Sequence, residues 1–161
     1  MSLTFKSLTN YLEGQWVCNQ TIYSLKTKKI YNHKFTTEIP SLESLNYSHL
    51  QNIVCITKIK NQYTIYQYMY PYLLNNQEGF INKIENKKIQ KYIFVLNSSK
   101  ILKITNCMNN IKYTEYIYFI DENFKLSFGL MKMNNKYKSI SFTSDIKIST
   151  AYTNSIDLTN Y

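Results

Sequence analysis

The residues best suited to chemistry lie in the last third of the chain, where short runs alternate polar and apolar side chains. In a β-strand successive residues point to opposite sides. Over 111–120, Tyr113, Glu115, Ile117 and Phe119 therefore share a face. Over 123–132, Lys125, Ser127, Gly129 and Met131 lie opposite Phe124, Leu126, Phe128 and Leu130. Over 137–149, Ser139, Ser141, Thr143, Asp145 and Lys147 lie opposite Ile140, Phe142, Ile146 and Ile148. Such a face suits a charged, extended ligand, because lysines pair with its carboxylates and a carboxylate accepts from its N–H groups. By pattern alone, the default for such a face is the solvated outside, and alternation does not choose between the two.

Other chemistries find less support. Cys18, Cys55 and Cys107 are odd in number and lack CxxC spacing, so they suggest neither a disulfide framework nor a zinc site. A thiol nucleophile needs a histidine as partner, and the two present, His33 and His49, stand in unrelated contexts. The ten scattered carboxylates form no HExxH or EF-hand pattern, so no metal is expected.

Positioning requires a frame. Leu3, Phe5, Leu8, Tyr11 and Leu12 recur at near-helical spacing and Gly14 ends the run, which predicts a short amphipathic helix over about 3–13. After it come ten β-prone segments, at about 16–25, 30–39, 52–60, 63–70, 79–85, 90–97, 100–107, 111–120, 123–132 and 137–149. Ser41 can cap a second short helix carrying Leu42 and Leu45. Closely spaced strands with no helical segments between them after position 52 argue for an antiparallel meander. Closure removes exposed edges, so the expectation is an all-β single domain. It is a barrel of about ten strands over 15–149, able to hold one small ligand, with a loosely held tail over 150–161. With three glycines and two prolines, the chain must make its turns with asparagine, as at Asn75-Asn76, Asn109-Asn110 and Asn134-Asn135.

Composition narrows the class further. The 161 residues carry a formal charge of +9, and every basic residue is a lysine. Isoleucine, asparagine, lysine and tyrosine dominate, and all have A/T-dominated codons, as in a reduced organelle genome. That bias accounts for much of the basic excess. The lysines are scattered and accompany no nucleic-acid-binding signature, so nucleic acid is not an expected partner. The apolar fraction of 44% excludes disorder. The longest nearly uncharged stretch, Gln62 to Gly79 with its single Glu78, is too rich in Tyr, Gln and Asn to span a bilayer, and no secretory signal is evident.

Several segments carry a family resemblance. Gly14-Gln15-Trp16-Val17-Cys18-Asn19-Gln20-Thr21-Ile22-Tyr23-Ser24-Leu25 resembles the G-x-W-x-S-x-R-T-x-H-x-L opening of the S-type phycobiliprotein lyases, the CpcS/CpeS family. Gly79-Phe80-Ile81-Asn82-Lys83 resembles its G-Y-x-x-K segment. Glu115-Tyr116-Ile117-Tyr118-Phe119, Asn123-Phe124-Lys125-Leu126-Ser127, Lys132 and Ser141-Phe142-Thr143-Ser144-Asp145-Ile146-Lys147 follow E-R-[IL]-W-F, N-L-R-L-R, K and S-F-C-S-E-I-R in order and spacing. The likeness spans residues 5–149. It implies a fold similar to lipocalins and fatty-acid-binding proteins. The implied activity is to bind a free linear tetrapyrrole and deliver it to a cysteine of a phycobiliprotein subunit as a thioether. The bilin is then a substrate, and no cofactor is implied.

Under that resemblance Glu115 stands at the family's functional glutamate, where it would accept pyrrole N–H bonds and favour the protonated chromophore. Lys125 stands at its partner arginine, to pair a propionate or orient the acid. Gln20, Ser127, Asp145 and Lys147 occupy further ligand-facing positions, and Tyr66, Tyr68, Met69, Tyr113, Ile117 and Met131 are expected to line the pocket. Gln20, Lys125, Ser127 and Lys147 each replace an arginine, Tyr118 a tryptophan and Asp145 a glutamate. Lysine keeps the charge without the planar two-point grip on a carboxylate.

The expected partners are phycoerythrobilin or a related phycobilin and a phycobiliprotein apo-subunit, with the phycoerythrin β-subunit as acceptor. The expected setting is a plastid, and the chain acts either alone or as a homodimer. Two alternatives remain at this point: a barrel that carries a bilin or other lipophilic ligand without transfer, and a β-rich assembly protein that grips acidic partners.

Overall fold

The computed structural model describes residues 5–39, 51–59, 62–70, 78–97 and 100–149. Among the described residues one helix, α1 (Phe5–Leu12), precedes ten strands. These are β1 (Gly14–Ser24), β2 (Lys29–Ile39), β3 (Gln51–Ile59), β4 (Gln62–Tyr70), β5 (Glu78–Glu85), β6 (Lys88–Asn97), β7 (Ile101–Met108), β8 (Ile111–Phe119), β9 (Phe124–Met133) and β10 (Lys136–Ser149). Each strand pairs antiparallel with its chain neighbours, and β1 also pairs with β10, so the sheet closes into a barrel. The all-β architecture follows the sequence reading closely. The second helix expected near Ser41, the turn at Asn75-Asn76 and the tail from Ala151 lie outside the described residues.

Turn chemistry fixes the hairpins. Asn86 and Lys87 have φ of 48° and 61° between β5 and β6, and Asn134 and Asn135 have 52° and 61° between β9 and β10. Two left-handed residues in a two-residue loop are what a type I′ turn requires. Asparagine tolerates that conformation, and it stands here where glycine is common. In the β7–β8 connection only Asn109, at φ 55°, is left-handed, so that loop is not a type I′ turn.

The two ends of the barrel differ. Leu8 and Leu12, one helical turn apart, are fully buried against Ile39, Leu96, Leu102 and Phe119. Tyr11 packs on Phe119 with ring centres 5.6 Å apart. Trp16 Nε1 donates to the carbonyl of Leu12 over 2.8 Å, satisfying one of the carbonyls that a helix end leaves open. Gly14, at φ 120°, turns the chain from α1 into β1 through a conformation side chains rarely allow. The helix thus plugs one end. The β1–β2, β5–β6, β7–β8 and β9–β10 hairpins ring the other.

The interior is divided as well. Toward β3–β7 it is apolar, built on Cys55, Tyr68, Ile81, Phe94 and Ile104. Each large apolar side chain fully buried there contributes about 1.5–3 kcal/mol by leaving water. Toward β1 and β8–β10 it is polar, with Lys125, Ser127, Thr143 and Asp145 all buried.

Candidate functional site

Register brings the polar residues together. On the inner face Cys18 of β1 stands across from Asp145 of β10, and Asp145 stands across from Lys125 of β9. One row nearer the hairpin end, Gln20 faces Thr143, Thr143 faces Ser127, and Ser127 faces Ile117. In the next row Ser141 faces Gly129 and Gly129 faces Glu115. The face that pattern alone would assign to solvent is therefore the interior. Its complement is outside: Phe128, Ile140, Phe142, Ile146 and Ile148 are exposed.

Two sub-clusters form. In the deeper one Lys125 Nζ lies 3.5 Å from Asp145 Oδ2, and both side chains are about nine-tenths buried. The same ammonium sits 4.2 Å from the Trp16 ring centre, with Lys147 Nζ at 4.9 Å from that ring. The indole thus lies beside two cations. Burial, aided by the charge of Lys125, lowers the pKa of Lys147. Asp145 Oδ1 is buried, and among the described residues no N–H or O–H donor reaches it; the Cys18 thiol stands across the ladder from it. Such an atom forfeits its hydration unless a donor reaches it.

In the outer cluster Tyr113 donates to Glu115 Oε2 over 3.0 Å. Burial raises the pKa of Glu115, and hydrogen bonds from Ser127 and Tyr113 oppose the rise. Burial and the adjacent Glu115 push the Tyr113 phenol well above its usual value, so it remains a donor. Gly129 leaves the room this needs, since a Cβ there would strike Ser141 Oγ and come within 3.0 Å of the Tyr113 hydroxyl. The Tyr113 ring meets Tyr92 edge-on at 6.5 Å.

The remaining expectations divide. Tyr66 and Ile117 are partly buried against the apolar core, Tyr68 belongs to it, and Met131 faces inward across from Tyr113. Met69 is a correction. One residue after Tyr68, it falls on the outer side of β4 with Phe80 and Asn82, whose amide reaches its sulfur at 3.8 Å, so it does not line the interior. Gln20 Nε2 donates to Thr143 Oγ1 at 3.3 Å. Lys125 takes Asp145 as its direct partner, and Glu115 takes Tyr113.

Trp16 and Cys18 were not among the candidate site residues, although both share the β1 phase of Gln20 and that alternation was there to be read. Cys18 lies 3.7 Å from Thr37 Oγ1. Burial raises the thiol pKa of Cys18 and pushes that of Cys55 up to about 11, which leaves both poor nucleophiles at neutral pH. Among the described residues no group of three or more His, Cys, Asp or Glu gathers as a metal cage would require.

No family model matches the chain. Among curated proteins it is similar to a chromophore lyase CpcS/CpeS homolog of Gracilaria tenuistipitata var. liui, 31% identical over 159 residues, covering 91% of this chain and 99% of that one. Among solved structures it resembles the S-type phycobiliprotein lyase CPES of Guillardia theta, with TM-score 0.62, 7% identity and coverage of 90% and 93%. It also resembles a protein of unknown function from Nostoc punctiforme, with TM-score 0.64 and 8% identity, where 92% of this chain spans 51% of the other. At those identities the likeness is one of fold.

Proposed function

The chain belongs to the CpcS/CpeS chromophore lyase family, and from that premise we propose that it holds a free linear tetrapyrrole in its barrel and delivers it to a cysteine of a phycobiliprotein subunit. Phycoerythrobilin is the proposed cargo, the phycoerythrin β-subunit the proposed acceptor, and a plastid the proposed setting. The observation that carries this reading is the inward cluster itself. Asp145 presents a buried acceptor oxygen that no N–H or O–H donor of the described residues reaches, Glu115 a second carboxylate, and Lys125 and Lys147 two cations, all inside a barrel plugged at one end. A bilin is the complement: pyrrole N–H donors and two propionates on one conjugated frame.

Attachment is an addition. The acceptor's thiol gives up its proton, its sulfur bonds to the carbon of the A-ring ethylidene, the π pair of that double bond moves into the ring system, and a proton taken up there balances the one lost from sulfur. Nothing is oxidised and nothing leaves, so the bilin is the substrate and the reading calls for no cofactor. An inward carboxylate accepting pyrrole N–H bonds favours the protonated, more electrophilic chromophore. Glu115, with its raised pKa, is suited to exchanging that proton. Lys125 and Lys147 are the groups for the propionates.

One observation favours a carrier that binds without transfer. Gln20, at a position where the family has arginine, is tied to Thr143 and carries no charge for a carboxylate.

The test mixes the purified protein with phycoerythrobilin, records the absorption spectrum, then adds apo-phycoerythrin subunits and looks for zinc-fluorescent product on a denaturing gel. The expected result is a red-shifted complex followed by a covalent adduct. Tight binding without adduct selects the carrier, and an unchanged spectrum overturns both.

A further inference from the structure

We propose that the outer face of β7–β10, beside the hairpin end of the barrel, is a docking surface for an acidic protein. The partner presents clustered carboxylates next to apolar side chains, and the proposal rests on the reading that the chain hands its cargo to another protein.

The surface has two parts in contact. A cleft of about 200 Å³ is lined by Lys103, Lys112 and Lys132 together with Thr105, Thr114 and Tyr116. Outward positions of β7–β10 carry no Asp or Glu, so among the described residues of these strands none of these lysines has a carboxylate on its own face. Lys103 Nζ lies 5.7 Å from the Tyr116 ring centre and Lys132 Nζ 4.3 Å from that of Tyr137. Rings hold cations without cancelling their charge. Lys112 and Lys132 stand directly opposite each other on neighbouring strands, an arrangement that destabilises a sheet. Nothing in the fold calls for that repulsion, and a carboxylate docked between the two would relieve it.

The second part adjoins the first through the ladder. Lys103 pairs with Tyr116, Tyr116 with Phe128, and Phe128 with Phe142, making one outward row across four strands. The rings of Phe128 and Phe142 pack at 5.1 Å, yet the two residues remain 43% and 39% exposed. Ile140 beside them is 40% exposed. An apolar surface of this kind marks an interaction site. The cleft is below the roughly 300–1,000 Å³ typical of small-molecule pockets and suits protein side chains better than a free tetrapyrrole. Exposed isoleucine and phenylalanine beside it favour a protein over a nucleic acid, whose backbone would leave them uncovered.

Position supplies the last argument. α1 closes the far end, so cargo leaves by the hairpin end. Lys112 and Lys132 follow or precede the inward pair Tyr113 and Met131 by one residue in the chain. A partner seated on the cleft therefore stands at the mouth.

The test uses the full chain, with and without phycoerythrobilin, and apo-phycoerythrin β-subunit as probe. Association is followed by biolayer interferometry from 20 to 300 mM salt. Native protein is expected to bind the bilin-free probe, more weakly as salt rises. The Lys103→Glu/Lys112→Glu/Lys132→Glu variant should keep the bilin spectrum, slow association by roughly tenfold or more at low salt and lose the salt dependence. Phe128→Ser should chiefly speed dissociation. The proposal is overturned if native protein does not bind the probe, if the triple variant associates like native, or if gel filtration shows the face occupied by a second copy of the chain. A native protein that binds the probe but forms no adduct leaves this surface standing and removes the delivery reading instead.

Discussion

Gly129 stands directly across the β8–β9 ladder from Glu115, and the space its missing Cβ leaves is used by Ser141 and by the Tyr113 hydroxyl that bonds Glu115. The close approach is to side chains on both sides, so any residue larger than glycine must displace one of them. Gly129→Ala is expected to destabilise by about 1–3 kcal/mol, as overpacking does, and to weaken bilin binding. Adding Ser141→Ala should recover part of the stability, which urea unfolding of the single and double variants measures.

Burial makes the ionised form of Glu115 unfavourable, so the folded chain holds that proton more tightly than the unfolded chain does. The linked stability is complete below the ordinary carboxylate pKa of 4.5 and is lost as pH rises through the raised value. Glu115→Gln cannot ionise and still accepts from Tyr113. It should melt above the native protein at pH near 7, with the gap closing toward pH of about 4. The same variant should lose the red-shifted bilin spectrum. A gap that is flat with pH would show that Glu115 does not ionise at the cost described.

The Lys125–Asp145 pair is nearly dry, so removing one partner strands the other. Asp145→Asn or Lys125→Met alone should cost about 3–5 kcal/mol, and the double variant clearly less than the sum. Chemical denaturation of all four proteins closes the cycle.

Trp16 is the only tryptophan and sits beside Lys125 and Lys147. A conjugated tetrapyrrole held by those lysines should quench its emission in proportion to occupancy. Fluorescence titration with phycoerythrobilin checks this, and an unchanged emission at saturation would place the cargo elsewhere.

Lys87 occupies a left-handed position in the β5–β6 turn at φ 61°, where a side chain costs roughly 1–2 kcal/mol and glycine nothing. Set against the larger entropy a glycine loses on folding, Lys87→Gly should stabilise by up to about 1 kcal/mol. Thermal melting reads this, and an unchanged or lower midpoint would show that the turn holds Lys87 without strain.

The fold was legible because alternation, turn residues and the absence of later helices all agree, and these are local signals. The site was legible only in part, because period two fixes which residues share a face and leaves open which face is inside. In most sheets the apolar side answers that question. Here β9 and β10 invert it, with Lys125, Thr143 and Asp145 buried while Phe128, Phe142 and Ile146 face outward. The family likeness, and not hydrophobicity, pointed to the correct side. Met69 shows the reverse error, a large apolar side chain read as lining and found outside. The pairing of Lys125 with Asp145 depends on strand register, which no local pattern carries.

The β1–β10 seam joins the earliest strand to the last, and the deeper sub-cluster straddles it: Trp16 and Cys18 come from one side, Asp145 and Lys147 from the other. Pairing between residues so far apart along the chain is the slow kind of contact in folding. A ribosome that has made everything up to β9 has therefore made a sheet with an open edge and half of the deeper sub-cluster. Under the proposed function, loading of the bilin would have to wait until β10 has closed the barrel.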